Sequence, residues 1–96
     1  MTYTVHPEAE RDLAEASDFY AKQASEVVAR RFLTEFERVA RLLDRSPEAG
    51  AEIRTNRRKF HLAVFPYTVV YRKLDSGIQV LVVRHQSRSP YGMDRR

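Results

Sequence analysis

At Gly50 the apolar pattern of this 96-residue chain changes period, and that change restricts the folds open to it. Before Gly50 the apolar residues recur every three or four positions. Ala9, Leu13, Ala16 and Tyr20, with Phe19 beside them, form one stripe; Val28, Phe32, Phe36, Val39 and Leu43, flanked by Ala29 and Leu42, form a second. Such spacing lines one side of a helix. After Gly50 the recurrence is every second position, the signature of a strand. Phe60, Leu62 and Val64 alternate with Lys59, His61 and Ala63; Tyr67, Val69 and Tyr71 alternate with Thr68, Val70 and Arg72. Ile78 to Val83 is apolar on both faces, which places it inside a sheet. Asp75-Ser76-Gly77 supplies the hairpin turn, with a glycine free to take positive φ.

Local signals divide the first half further. Thr2 to Val5 alternate as a short strand with Tyr3 and Val5 on one face. Pro7 suits a first helical turn, and Glu8, Glu10 and Asp12 complement the positive end of that helix, which extends to about Lys22. His6 is a poor cap compared with serine or aspartate and is expected to weaken the first turn slightly. Ser25 reads as the cap of the second helix, and Ser46-Pro47 ends it, because a residue before proline avoids the α region. Two helices so closely joined make a helical hairpin. The expected fold is α+β in the order β-α-α-β-β-β, with the three C-terminal strands antiparallel and packed against the hairpin. One domain spans 1–96, with a polar tail, residues 89–96, expected to be loosely ordered.

The chain has no cysteine, so neither a disulfide framework nor a thiolate metal site is available. No metal or cofactor is expected. The N-terminus lacks a basic segment followed by an apolar one, and no apolar run approaches the ~20 residues needed to cross a bilayer, so a cytoplasmic protein is expected. The charge is uneven. Residues 1–50 hold seven basic and ten acidic side chains, whereas residues 51–96 hold ten basic and three acidic. A field of that kind steers association with an acidic partner. Arg57, Arg58, Lys59, Arg72, Arg84 and Arg88, with His85, are the candidate target-binding residues; the Arg57–Lys59 run also suits an edge strand guarded against aggregation.

The ordered set of signals resembles the RelE/ParE toxin superfamily. It comprises the β-α-α-β-β-β order, Pro7-Glu8-Ala9-Glu10-Arg11-Asp12-Leu13, Leu42-Leu43 before Ser46-Pro47 and Gly50, and the basic stretch before Tyr71-Arg72. The closing Val82-Val83-Arg84-His85-Gln86-Ser87-Arg88 is most similar to the ParE-type branch. The resemblance implies the toxin of a bacterial type II toxin–antitoxin pair, bound in a hetero-oligomer by a cognate antitoxin whose acidic C-terminal segment folds on binding. It offers two activities. ParE-type members inhibit DNA gyrase by protein–protein contact; RelE-type members cleave mRNA on the ribosome.

Metal-independent RNA cleavage needs a base, an acid and cations at the phosphorane. Arg57, Arg58, Lys59, Arg72, Arg84 and Arg88 supply cations in excess and His85 could serve as acid or base, with His85, Arg72 and Arg84 the catalytic set if the chain is a nuclease; Tyr67, Tyr71 and Tyr91 could stack on bases. The set is incomplete. Thr68 stands where the ribosome-dependent relatives tend to carry an arginine, and Gln86 stands where some carry a tyrosine. The gyrase branch is therefore preferred over the nuclease, with a non-toxic, antitoxin-binding homologue acting in operon autoregulation as a third reading. The helix-hairpin groove and the exposed sheet face are the candidate antitoxin surfaces.

Overall fold

The computed structural model describes residues 3–87. Strand β1 (Thr4–Val5) leads into α1 (Pro7–Gln23) and α2 (Glu26–Arg45). A single 3-10 turn over Pro47–Ala49 connects to β2 (Ala51–Arg54), β3 (Arg57–His61), β4 (Tyr67–Leu74) and β5 (Gly77–His85). The sheet runs β1-β5-β4-β3-β2, with β1 parallel to β5 and every other pair antiparallel. The helix pair covers one face. The α+β order read from the sequence holds, with one strand more than expected.

That extra strand is β2. Its four residues are all exposed, so the short alternation of Ala51 and Ile53 with Glu52 and Arg54 marks no buried face. Its partner and its turn make it a strand. Thr55-Asn56 joins it to β3, and Asn56 takes φ 52°, a left-handed value asparagine tolerates. The Asn56 side chain then holds β4: Nδ2 donates to the Lys73 carbonyl at 3.2 Å and Oδ1 accepts from the Lys73 amide at 3.0 Å.

Two further expectations change. His6 is an effective cap: its Nδ1 accepts the Glu8 amide at 3.1 Å, as Ser25 Oγ accepts that of Val28 at 3.2 Å. An imidazole acceptor in extended backbone geometry can satisfy one of the free amides at a helix start, as a hydroxyl does. Val64 is not a core residue. The chain leaves β3 after His61 and turns through residues 62–66, so Leu62 is buried while Val64 is 76% exposed.

The core lies between α2 and the sheet. Phe32, Phe36, Val39 and Leu43 meet Val69, Tyr71, Ile78 and Val80, all nearly inaccessible. Each such side chain contributes roughly 1.5–3 kcal/mol by leaving water. At one end Tyr20, Phe32, Phe65 and Tyr67 form an aromatic cluster with ring centroids 5.0–6.2 Å apart.

One irregularity governs what the sheet presents. Val70 pairs with Val82 but Tyr71 pairs with Val80, so Leu81 has no partner on β4. This bulge reverses the alternation of β5. Before it, Ile78 and Val80 face the helices; after it, Val83 and His85 do. Asp12 on α1 secures the strand just beyond: its Oδ2 accepts the Val83 amide at 3.0 Å.

Candidate functional site

Strand register sorts the candidate residues between the two faces of the sheet. Directly paired residues share a face, and neighbours along a strand alternate. His61 pairs with Thr68 and Thr68 with Arg84; Lys59 pairs with Val70 and Val70 with Val82; Arg72 pairs with Gln79 and Gln79 with Thr4. These three rows form the face turned away from the helices. Arg57 lies on it by alternation with Lys59, and Arg54 lies on it as the partner of Arg57. Five cations therefore share one surface, and the register places no carboxylate there among the described residues.

The centre of this face is already closed. Val70, Leu81 and Val82 form a small apolar cluster at 0, 4 and 0% exposure. Thr68 is buried as well, and its Oγ1 is hydrogen-bonded to His61 Nδ1 at 2.7 Å. Arg72 Nε donates to Gln79 Oε1 at 2.9 Å, which orients the guanidinium across the strand. Lys59 forms no ion pair among the described residues, and it is half-buried.

The other candidates lie elsewhere. Arg58 is on the helix side, where its guanidinium donates to the Gly50 carbonyl at 2.8 Å. Tyr71 is beside it, 1% exposed, with its hydroxyl donating to the Pro47 carbonyl at 2.6 Å and accepting the Gly50 amide at 2.9 Å. Burial pushes the Tyr71 hydroxyl above its ordinary pKa, so it keeps the proton it donates. Tyr67 is 7% exposed within the aromatic cluster. Neither tyrosine can stack on a base. Arg88 and Tyr91, with the tail 89–96, fall outside the described residues.

His85 is on the helix side too. Its ring meets Tyr67 edge-on at 5.1 Å, in a hollow shared with Asp12, Glu15 and Phe19. The Ser87 amide, which can only donate, points at His85 Nδ1 from 3.1 Å, so that nitrogen is an acceptor. Adjacent positions on a strand point to opposite faces, and Arg84 and His85 do so here. The nuclease set of His85, Arg72 and Arg84 is thus divided by the thickness of the sheet.

A second surface follows the outer side of α2. Val27, Arg30, Arg31, Thr34 and Arg38 of the helix, with Val64 and Phe65 of the 62–66 turn, line an open groove of about 610 Å³. Val27 is 61% and Val64 76% exposed, a pair of apolar anchors in solvent. Glu35 also lines the groove but is neutralised. Its carboxylate takes a two-pronged contact from Arg38 at 3.0 and 3.1 Å and also accepts the Ala63 amide at 3.1 Å. These hydrogen bonds, that of Arg38 foremost, hold the Glu35 carboxyl below its usual pKa. Arg30 and Arg31 remain exposed and make no ion pair among the described residues. The groove is not the seam of the helical hairpin, which is packed. Nothing in the sequence marked it except Val27, an apolar residue off the buried stripe of α2.

Comparison with known proteins agrees with this architecture. The family described as the ParE toxin of the parDE type II toxin–antitoxin system matches residues 3–90. Toxin ParE2 of Mycobacterium tuberculosis is 32% identical over 90 residues, spanning 94% of this chain and 86% of that protein, in strain CDC 1551 and in strain H37Rv alike. A solved structure of the chromosomal ParDE system from P. aeruginosa superposes with a TM-score of 0.76 at 19% identity, covering 88% of this chain and 95% of the other.

Proposed function

The chain belongs to the ParE toxin family of type II toxin–antitoxin systems, and from that premise we propose that it inhibits DNA gyrase by protein–protein contact and is neutralised by a cognate antitoxin. The observation that carries the choice of branch is the division of His85 from Arg72 and Arg84 by the sheet. A phosphorane needs its acid or base and its cations around one phosphorus atom. Here the imidazole and the guanidinium groups open onto opposite sides. Inhibition by contact makes no such demand.

The α2 groove is the antitoxin surface in this reading. An acidic amphipathic segment would set apolar side chains against Val27, Val64 and Phe65 and its carboxylates against Arg30 and Arg31. Apolar anchors with a cationic rim favour a folded peptide over a small anion. The neutralised Glu35 removes the one charge that would oppose it.

The test is a supercoiling reaction with purified gyrase, this chain and its antitoxin. Supercoiling is expected to fail when the toxin is added and to recover with the antitoxin. Arg31→Glu combined with Val64→Glu is expected to keep the inhibition and lose the recovery. Intact supercoiling alongside cleaved ribosomal mRNA would overturn the proposal in favour of the nuclease. Binding of the antitoxin with neither effect would leave a non-toxic autoregulatory homologue.

A further inference from the structure

With the α2 groove taken as the antitoxin surface, we infer that Glu35 is its positioning residue, holding the 62–66 turn so that Val64 meets the antitoxin in one fixed place. Val64 is 76% exposed and stands between two neighbours that are fixed in different ways. On one side Phe65 packs edge-on against Tyr20 and Phe32, with ring centroids 5.2 and 5.4 Å apart. On the other side the Ala63 amide donates to Glu35 Oε2 at 3.1 Å.

The rest of the turn is bonded to itself and to the ends of the strands. The Leu62 amide donates to the Tyr67 carbonyl at 2.9 Å, the Tyr67 amide to the Phe65 carbonyl at 2.7 Å, and the Gln86 amide to the Pro66 carbonyl at 2.8 Å. Among the described residues, the bond from Ala63 to Glu35 is the one hydrogen bond that joins the turn to α2. The acceptor is itself held still. The Glu35 side chain is only 12% exposed, and Arg38 donates from Nε to Oε1 and from its terminal nitrogen to Oε2. A two-pronged guanidinium contact fixes the orientation of a carboxylate as well as balancing its charge. A binding segment ordered beforehand does not have to be ordered when the partner arrives.

Charge and position act in opposite directions at Glu35. A carboxylate lining a groove for an acidic segment repels it, so by charge alone its removal should tighten binding. Removal of the clasp frees Ala63 from α2 and should loosen binding.

Surface plasmon resonance of the full chain against its cognate antitoxin decides between them. Glu35→Met fills a similar space without a carboxyl acceptor or a charge. It is expected to weaken binding roughly three- to tenfold, the cost of ordering the Val64 segment during binding instead of before it. Glu35→Gln keeps a carbonyl oxygen that can accept the Ala63 amide, and is expected to bind at least as tightly as the wild type. Hydrogen exchange at the Ala63 amide of the free protein should accelerate in Glu35→Met and not in Glu35→Gln, with Phe60 and Val69 unchanged in both. Circular dichroism should show both variants folded. Glu35 has no positioning role if Glu35→Met binds as tightly as the wild type, or if Glu35→Gln binds as weakly as Glu35→Met. Either result, together with a loss of binding in Arg31→Glu/Val64→Glu, overturns the clasp and leaves the groove as the antitoxin surface. Undiminished binding by Arg31→Glu/Val64→Glu overturns both.

Discussion

Tyr71 and Gly50 are locked together: the Gly50 amide donates to the Tyr71 hydroxyl at 2.9 Å, and a Cβ on Gly50 would lie 2.5 Å from that same oxygen. Gly50 has an ordinary extended backbone, φ −79°, so its glycine is required by proximity and not by conformation. The contact closes the link between the helical half and the sheet, because the same hydroxyl donates to Pro47 and Arg58 grips the Gly50 carbonyl. Gly50→Ala would also press within 2.7 Å of the Lys59 carbonyl, which cannot rotate away. A loss of roughly 1–3 kcal/mol is expected. Thermal unfolding should show it as a fall in Tm of about 4–8 °C per kcal/mol.

Tyr71→Phe keeps the ring and removes the oxygen. It leaves the Gly50 amide and the Pro47 carbonyl without their partner, in a region where water cannot easily replace it. A cost of about 1–3 kcal/mol in chemical denaturation is expected. An unchanged midpoint would show that these two groups find other partners.

Asp12 anchors the bulged strand through the Val83 amide. Asp12→Ala should destabilise the protein by about 1–3 kcal/mol. Hydrogen exchange at Val83 should accelerate more than at Val69 or Phe60, which pair in the regular β3–β4 ladder.

Glu35 gives the molecule an acid-sensitive contact. Its folded pKa lies below the ordinary glutamate value, chiefly because Arg38 donates to the carboxylate. The charged form is therefore favoured in the folded protein. Its stabilisation is complete above about pH 4.3, the usual glutamate value, and disappears as the pH falls through the lowered folded value. Glu35→Gln should flatten that part of the stability profile, and denaturation midpoints measured across the acid range check it.

His85→Ala should leave growth arrest intact when the gene is induced, because the imidazole faces Tyr67 and is separated from Arg72 and Arg84. Loss of toxicity with the fold retained, checked by near-ultraviolet circular dichroism, would restore the nuclease reading.

His6 shows where residue preference understates a local contact. Histidine is not among the strong caps, yet its Nδ1 reaches the Glu8 amide as a serine hydroxyl would. His6→Ala should cost on the order of 1 kcal/mol, and His6→Ser should restore most of it, read by thermal melts of the three proteins.

The two helices and the apolar strands were legible from residue order alone, because periods of 3.6 and 2 leave different marks on a linear chain. Phe32, Phe36, Val39 and Leu43 had to share a helix face whatever they packed against, and all four are buried. Strand β2 was not legible, since its four-residue alternation is too short to stand out, buries nothing, and its existence depends on β3 lying beside it. The same is true of the α2 groove, which forms only when the 62–66 turn comes up against the helix. The faces of Arg84 and His85 were undecidable for a sharper reason. Gln79 marks the phase at the start of β5, but Val80 to Val83 is apolar throughout, so either phase of its second half buries equally well. The extra residue at Leu81 selects one phase, and it is defined only by the pairing of β5 with β4. Residue order dictated the two helices and the apolar strands, and composition that the chain would be basic; long-range hydrogen bonding, which no local pattern encodes, assigned each cation its side.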